Sequence, residues 1–322
     1  MQVGVDETGS FRGSNNSQFG LVTLVTVTDL EWQNFQNFVN SDFPTAFEKV
    51  KGSNIIPSDR ERIIKYVSRR PEIRYTTLVF DLDFGTDETI GSHRTRQITK
   101  IQDWMDKNRT TSKASLISDL ELLRNQIGNL SYSDYTKFFF ITLIFMHWQR
   151  FFQFDYVYTH TSRDQWLMHH VVDMQNKPEK FKRIVKTTLA LTANHLNPSY
   201  GINTPREWNP SHPFIKNHSF NGQIGLQDGK KFFEDFKIGN EQQDHILFLP
   251  DLIGSIIYNS ILRSSDVRWL KLLSRLKQNR SIAMTNHGKA NYYYQIAGLS
   301  GVNNQLQTDP MFQNHFDKMK AF

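Results

Sequence analysis

The first third of the chain alternates apolar runs of strand type with helical patterns. Val3 and Val5 alternate with Gly4 and Asp6, which is the two-residue period of a β-strand. Phe19–Val27 is β-branched and apolar on both faces, a pattern typical of a central strand. Because only a short connection separates the two runs, we expect them to pair as a hairpin.

Two helices and a third strand are predicted next. Asp29 precedes aromatic residues that recur at three-residue steps, so we expect it to cap a helix over residues 30–38. Ser58 and Glu61 have the spacing of a capping box, which predicts that a second helix begins at Ser58. The run at 73–82 is rich in β-branched and aromatic residues and predicts a strand.

The middle of the chain has a different character. Its pattern is helical throughout 95–152, and the very apolar helix expected at 132–152 should cover a face of the sheet. We then predict a strand over 154–160 and a helix over 165–174. The remaining predicted elements are a basic helix over 179–196, a weak strand over 233–238, a helix beginning at Pro250 and a basic amphipathic helix over 268–277.

This order of elements predicts an α/β fold, in which a mixed sheet is flanked by helices and interrupted by a helical insert. The predicted divisions are a first part of the core at 1–94, the helical insert at 95–152, a second part of the core at 153–265 with a proline-rich loop at 197–213, and a C-terminal helical extension at 266–322.

Composition narrows the class of protein. The 322 residues include no cysteine, which excludes disulfides and cysteine-based zinc sites. The longest apolar run, at 138–146, has about half the length that spans a bilayer, so we expect a soluble, cytoplasmic protein. A net charge of +6 favours a polyanionic partner. The glycines at 225–229 have the wrong spacing for a phosphate-binding loop.

Carboxylates stand at two places where the surroundings are apolar. Asp6 and Glu7 end the first strand, and Asp251 lies in the first turn of the helix that begins at Pro250. Acids at a strand end can be solvated loop residues, and the helix dipole favours an acid in a first turn. A carboxylate in an apolar run is costly, however, unless a cation or hydrogen bonds compensate it. Carboxylates from distant segments can hold Mg²⁺, and two such ions can hydrolyse a phosphodiester.

The opening V-G-V-D-E-T-G-S, followed by the strand F-G-L-V-T-L-V-T-V, resembles a bacterial and phage family of RNase H-like proteins known as a domain of unknown function. Its members begin with Asp-Glu-Ser-Gly on the first strand and end with a helix reading roughly Gln-Leu-Ala-Asp-Leu-Leu-Ala-Gly. The segment F-L-P-D-L-I-G-S-I-I-Y is similar to that helix and matches its Asp at Asp251. Thr8 stands where the family has Ser, and Pro250 where it has a small residue.

The resemblance implies an RNase H-like sheet on which carboxylates from the first strand and the last helix meet at a site for Mg²⁺ or Mn²⁺. It implies a nuclease in which Asp6 and Asp251 are metal ligands and Glu7 is a ligand or a supporting acid. The family's further acid lies at the end of the fourth strand. Here the candidates are His160, as ligand or general base, and Asp164, as a metal ligand reached from the next helix.

Basic residues supply candidate contacts to a nucleic acid, whether DNA or RNA. Ser10 or Arg12 follows the acids closely enough to steady a substrate phosphate. Lys182 and Arg183 belong to the basic helix at 179–196, which predicts either phosphate contacts or a solvated helix face. A second basic face is predicted for Arg268, Lys271 and Arg275.

Two alternatives to a nuclease stay open. The first is a catalytically degenerate RNase H-like protein that binds nucleic acid or docks a partner, which the unclear middle acid favours. The second is a structural protein whose helical insert at 95–152 mediates assembly, as a homo-oligomer or with another protein. Families of this kind are often met among phage and bacterial defence genes, so the resemblance implies a role in phage defence or in a mobile element.

Overall fold

The strands of the fold surround β1, which carries the acidic motif. The computed structural model describes residues 1–11, 19–44, 55–81, 87–112, 114–151, 169–173, 179–194, 215–216, 226–227, 235–239, 243–263, 265–277 and 294–296. The strands are β1 (Gln2–Gly9), β2 (Phe19–Val27), β3 (Ile73–Asp81), β4 (His169–Asp173), β5 (Ile215–Lys216), β6 (Leu226–Gln227), β7 (Asp235–Gly239) and β8 (Tyr294–Ile296).

Helices cover both faces of the sheet. They are α1 (Asp29–Asp42), α2 (Pro57–Val67), α3 (Asp87–Asn108), α4 (Ala114–Gly128), α5 (Tyr132–Phe151), α6 (Glu179–Asn194), α7 (Phe248–Leu262) and α8 (Val267–Lys277), with a 3₁₀ turn at His245–Leu247 before α7. The chain is therefore an α/β protein, as the sequence predicts.

The main sheet is mixed and has the strand order β7-β4-β1-β2-β3-β8. β1, β2 and β3 form an antiparallel meander, which confirms the predicted hairpin. On the other side of β1, β4 and then β7 run parallel to it. A parallel neighbour needs a long crossover, and the helices between β3 and β4 lie within that connection. β5 and β6 pair separately.

Two hydrophobic cores lie on opposite faces of the sheet. The first packs helices α3 to α6 against residues such as Val5 and Leu24. The second packs α1, α2, α7 and α8 against residues such as Leu21 and Val25. We call these the α5 face and the α7 face. Because side chains alternate along a strand, each residue of β1 is assigned to one face by its position.

The predicted helical insert is part of the main core. α3 begins at Asp87, before the predicted boundary at 95, and buried residues of α3, α4 and α5 belong to the same core as Val3 and Val5. The very apolar α5 confirms the prediction of a helix packed on the sheet. The predicted C-terminal extension also begins inside the core, since Leu273 and Leu276 of α8 are buried on the α7 face.

Three local predictions are wrong. Residues 169–173 form a strand and not part of a helix, since β1 and β7 pair with them on both sides. The N-cap of α1 is Thr28, whose hydroxyl accepts from the Glu31 amide. The capping box at Ser58 does not form, because Pro57 takes the first turn and Ile56 is the N-cap. The predicted strand at 154–160 and the loop at 197–213 lie outside the described residues.

One stretch of the described chain, His245–Leu262, is long and apolar enough to cross a membrane, with a mean hydropathy of 1.4. In this structure 72% of that stretch is buried, because α7 packs on β1 and β2. The apolar character of α7 is therefore accounted for by its position in the core.

Candidate metal centre

Close backbone contacts hold α7 along β1. A Cβ atom on Gly4 would lie 2.9 Å from the Ile246 carbonyl oxygen, and one on Gly254 would lie 2.7 Å from the Thr8 hydroxyl. The distance along β1 from Gly4 to Thr8, four residues, and the distance along the turn and helix from Ile246 to Gly254, eight residues, are both roughly 12–13 Å. The helix and strand therefore run side by side, and the level of Asp6 falls near Pro250 and Asp251, midway between the two contacts.

Asp6 is a buried carboxylate on the α7 face. Its side chain is on the same face as Gly4 and Thr8 by strand alternation, and its residue is only 5% exposed. On β2 its partner is Thr23, and the hydroxyls of Thr23 and Thr77 share a 3.0 Å hydrogen bond. A carboxylate in such a place needs hydrogen bonds or a cation to compensate its charge.

A second acid, Asp173, lies beside Asp6. In the parallel register Gly4 is opposite Val171 and Val5 is opposite Val172. The paired residues of the two strands end there, and continuing this register by one residue puts Asp6 and Asp173 at neighbouring positions on strands about 5 Å apart. Val171 belongs to the core on the α7 face, so Asp173, two residues later, faces the same side as Asp6.

Sequence reasoning missed Asp173. The segment 165–174 is interpreted as helical from the sequence, although H-H-V-V-D resembles V-G-V-D of the first strand. In both motifs an acid directly follows β-branched residues. That signal is short, and pairing with β1 decides it. An acid thus stands at the end of the described strand beside β1, namely Asp173, whereas His160 and Asp164 lie outside the described residues.

Asp251 lies on α7, close to the buried guanidinium of Arg60. Desolvation lowers the pKa of Arg60, and the negative charge of Asp251 opposes that shift. Arg60 is 6% exposed, donates to the Ile55 carbonyl at 2.9 Å, and lies 4.6 Å from the centre of the Trp269 ring. A cationic side chain is thus part of the environment of Asp251 on the side of α2.

Glu7 does not join the other acids. It faces the α5 side of the sheet, where the Lys137 ammonium of α5 forms an ion pair with its Oε1. Both side chains are 17% exposed, and the Lys137 ammonium also lies 5.5 Å from the centre of the Phe11 ring. The prediction that Glu7 shares one site with Asp6 and Asp251 is therefore not supported by its position.

Two of the predicted phosphate-binding residues, Lys182 and Arg183, lie on the face of the sheet opposite Asp6. Lys182 and Arg183 are on α6, which packs on the α5 face, and Lys182 pairs with Glu179 at 2.6 Å. Ser10 follows β1, and its carbonyl oxygen would lie 2.4 Å from a Cβ on Gly20. Arg12 lies outside the described residues.

The second predicted basic face is occupied by ion pairs within the chain. The Glu61 carboxylate of α2 forms an ion pair with the Arg275 guanidinium at 2.7 Å and lies 3.7 Å from the Lys271 ammonium. Arg268 pairs with Asp266 at 2.8 Å. This face of α8 therefore contributes to the contact with α2, and Glu61, expected in a capping box, has its partners here.

The chemistry of the acids on the α7 face fits a hard divalent cation. Such ions take carboxylate oxygens together with waters and phosphate oxygens. Asp6, Asp173 and Asp251 supply only carboxylates, from two neighbouring strands and the helix packed on them. Within the described ranges, however, no group of three His, Asp or Glu side chains is gathered closely enough to hold a metal ion. The structure thus has the three acids on the α7 face without gathering them into a ligand cluster.

Comparisons with models of protein families, with curated proteins and with solved structures find no match to this chain.

Proposed function

We propose that this protein is a metal-dependent nuclease of RNase H-like fold, in which Asp6, Asp173 and Asp251 hold Mg²⁺ or Mn²⁺. The observation that carries the proposal is the parallel register of β1 and β4, which pairs Val5 with Val172. Its continuation puts Asp6 beside Asp173 on the face covered by α7. Two acids placed side by side in a partly buried setting repel one another. A bound cation removes that repulsion.

The sheet supports the RNase H-like part of the proposal. The resemblance implies a mixed sheet whose first strand and last helix bring carboxylates together. Here β1 is flanked by an antiparallel and a parallel neighbour, and α7 lies along it.

The chain's own residues would prepare the site before an ion binds. Burial and the packing of Gly254 on Thr8 fix the height of Asp6 relative to α7. Asp251 lies in the first turn of α7, where the helix dipole stabilises negative charge. Bound divalent ions would supply a water of lowered pKa and charge stabilisation for the leaving oxygen. A role in phage defence or in a mobile element belongs to this proposal through the resemblance alone.

One observation favours the alternative of a catalytically degenerate binding protein. The positively charged Arg60 guanidinium already lies near Asp251 and attracts its negative charge. If that interaction takes the place of a metal ion, the acids would serve stability only. The two functions then differ in whether divalent ions change the behaviour of the protein at all.

The decisive experiment is cleavage of labelled single-stranded and duplex DNA, RNA and hybrid in Mg²⁺ or Mn²⁺. We expect Asp6→Asn, Asp173→Asn and Asp251→Asn each to reduce cleavage by at least about 10²-fold, a typical loss when one group that stabilises transition-state charge is removed. The matched control is Asp103→Asn, the same change at an exposed acid of α3, which should cleave like wild type. Thermal melts of every variant check folding.

Glu7→Gln separates the two sides of the sheet in the same assay. Because Glu7 pairs with Lys137 on the α5 face, we expect this variant to cleave like wild type. Cleavage by wild type that persists in folded Asp6→Asn and Asp173→Asn would overturn the proposed site. A wild type that cuts none of the substrates would overturn the nuclease proposal in favour of a binding protein.

A further inference from the structure

Helices α1 and α2 form a basic and aromatic surface away from the acids. A cavity of about 520 Å³ is lined by Phe38, Arg62, Lys65, Tyr66, Arg69 and Arg70. Its four cationic residues are all exposed. Arg62 and Lys65 lie on α2, and Arg69 and Arg70 follow directly after its C-cap, Ser68. We call this cavity and its lining the α2 groove.

Planar side chains are stacked in the α2 groove. The rings of Phe38 and Tyr66 are nearly parallel, with centroids 4.4 Å apart and an interplanar angle of 15°. The Arg70 guanidinium lies 4.9 Å from the centre of the Tyr66 ring. The Arg62 guanidinium lies 4.6 Å from the centre of the Phe43 ring, and Phe43 meets Phe38 edge to face.

Two of the four cationic side chains in the groove interact with carboxylates of the fold itself. Arg62 pairs with Asp42, and Arg70 lies 3.7 Å from the buried carboxylate of Glu31. Lys65 and Arg69 differ from them, because they form no ion pair with any residue that the structure describes. They are four residues apart in the sequence: Lys65 lies in the last turn of α2, and Arg69 lies in the turn that follows, where its amide donates to the Tyr66 carbonyl at 3.1 Å. Both line the α2 groove.

We propose that the α2 groove binds single-stranded nucleic acid. Lys65 and Arg69 would contact phosphates, and a base would stack against the planar groups around Tyr66. Aromatic rings beside a basic track are the combination that binds single strands without reading sequence. A duplex hides the faces of its bases, so the rings favour a single strand. The groove volume is within the range of small-molecule sites and so can accept a nucleotide.

The position of the groove fits a path towards the acids. α2 also carries Arg60, whose charge interacts with Asp251, and both α2 and α7 pack on the α7 face. A single-stranded nucleic acid bound along α2 would therefore lie on the same side of the sheet as Asp6 and Asp173. The inference deepens the proposed nuclease function by naming its substrate class, and it is tested by binding alone.

The test is fluorescence anisotropy in EDTA, which prevents metal-dependent cleavage. The probes are labelled oligothymidylate and oligouridylate of about 20 nucleotides, longer than a typical single-strand site, and a duplex of the same length. We expect the single strands to bind more tightly than the duplex. Lys65→Glu/Arg69→Glu should weaken single-strand binding by about tenfold or more and flatten the slope of log K against log salt by about 1.4.

A matched control lies on the other face. Arg96 and Lys100 of α3 are exposed and also four residues apart, and α3 packs in the core of the α5 face. Arg96→Glu/Lys100→Glu changes the net charge by the same amount, so we expect it to retain most of the wild-type affinity and salt slope. Equal losses in the two double variants would overturn the site, because they would show that only total charge matters.

Two further variants test stacking. The Tyr66 hydroxyl donates to Glu31 at 2.7 Å, so Tyr66→Phe removes that bond and keeps the ring, whereas Tyr66→Leu removes the ring. We expect Tyr66→Phe to bind like wild type and Tyr66→Leu to lose about fivefold or more. Equal affinity of the two would overturn base stacking, and full competition by polyglutamate would identify an anion surface instead.

Failure of binding and failure of cleavage are separate results. Binding without cleavage would keep the groove and overturn the nuclease. Suppose instead that wild type cleaves single strands and that Lys65→Glu/Arg69→Glu changes neither this cleavage nor binding in EDTA. That result would overturn the groove and keep the nuclease.

Discussion

At the scale of single residues, the clearest electrostatic consequence is at His93. This buried imidazole of α3 shares a 2.7 Å hydrogen bond between its Nδ1 and the Tyr135 hydroxyl. Desolvation, together with the nearby charges of Arg96 and Lys100, lowers the pKa of His93 to about 4. The folded protein therefore keeps His93 neutral where the unfolded chain would take up a proton.

The sign of the pH effect follows from the lowered pKa. Above the ordinary histidine pKa near 6.5 both states are neutral, so stability is unaffected; below it the unfolded state binds the proton first. We expect His93 to cost about 2 kcal/mol of unfolding free energy between pH 7 and pH 5. Urea unfolding at both pH values would measure this loss, and His93→Gln should show a correspondingly flatter dependence. Equal pH dependence in the two proteins would contradict the prediction.

At the scale of secondary-structure elements, Gly254 controls how closely α7 approaches β1. A Cβ atom there would lie 2.7 Å from the Thr8 hydroxyl and 3.2 Å from the Thr23 hydroxyl. We expect Gly254→Ala to lower the unfolding free energy by about 1–3 kcal/mol, the usual cost of overpacking a core, and to reduce cleavage by moving Asp251 away from Asp6. The matched control is Gly128→Ala in α4, whose Cβ would meet Ile98 at an ordinary 3.6 Å.

The measurements for this pair are urea unfolding and the cleavage assay. Gly128→Ala should be neutral or slightly stabilising, since alanine has the higher helix propensity. If Gly254→Ala were as stable and as active as Gly128→Ala, close contact between α7 and β1 would not be what positions the site.

At the scale of the whole molecule, the proposed metal site should couple divalent ions to global stability. We expect Mn²⁺ at ten times its Kd to add about 1.4 kcal/mol to the wild-type unfolding free energy, because only the folded chain assembles the acids. Asp173→Asn should lose this response, and its apo form should melt higher than wild type because repulsion with Asp6 is relieved. Thermal melts with and without Mn²⁺ would show both effects. If Mn²⁺ shifted the melting temperatures of wild type and Asp173→Asn equally, a site at Asp173 would be contradicted.

Elements with a long or repeated hydrophobic pattern could be predicted from the sequence. The β1–β2 hairpin, β3, α5 and the apolar α7 were all predicted, because alternation and helical periodicity persist over many residues in each. Asp6 and Asp251 could also be named as candidates from the sequence, since a carboxylate within an apolar run stands out locally.

Which side chains share a face depends on strand pairing across the fold, which the sequence does not show. β4 is five residues long, too short for its periodicity to distinguish strand from helix, and it becomes a strand by pairing with β1 and β7. That pairing places Asp173 beside Asp6 across more than half the chain. It also leaves Glu7, the immediate neighbour of Asp6, on the opposite face with Lys137, because adjacent residues of a strand point to opposite sides of its sheet.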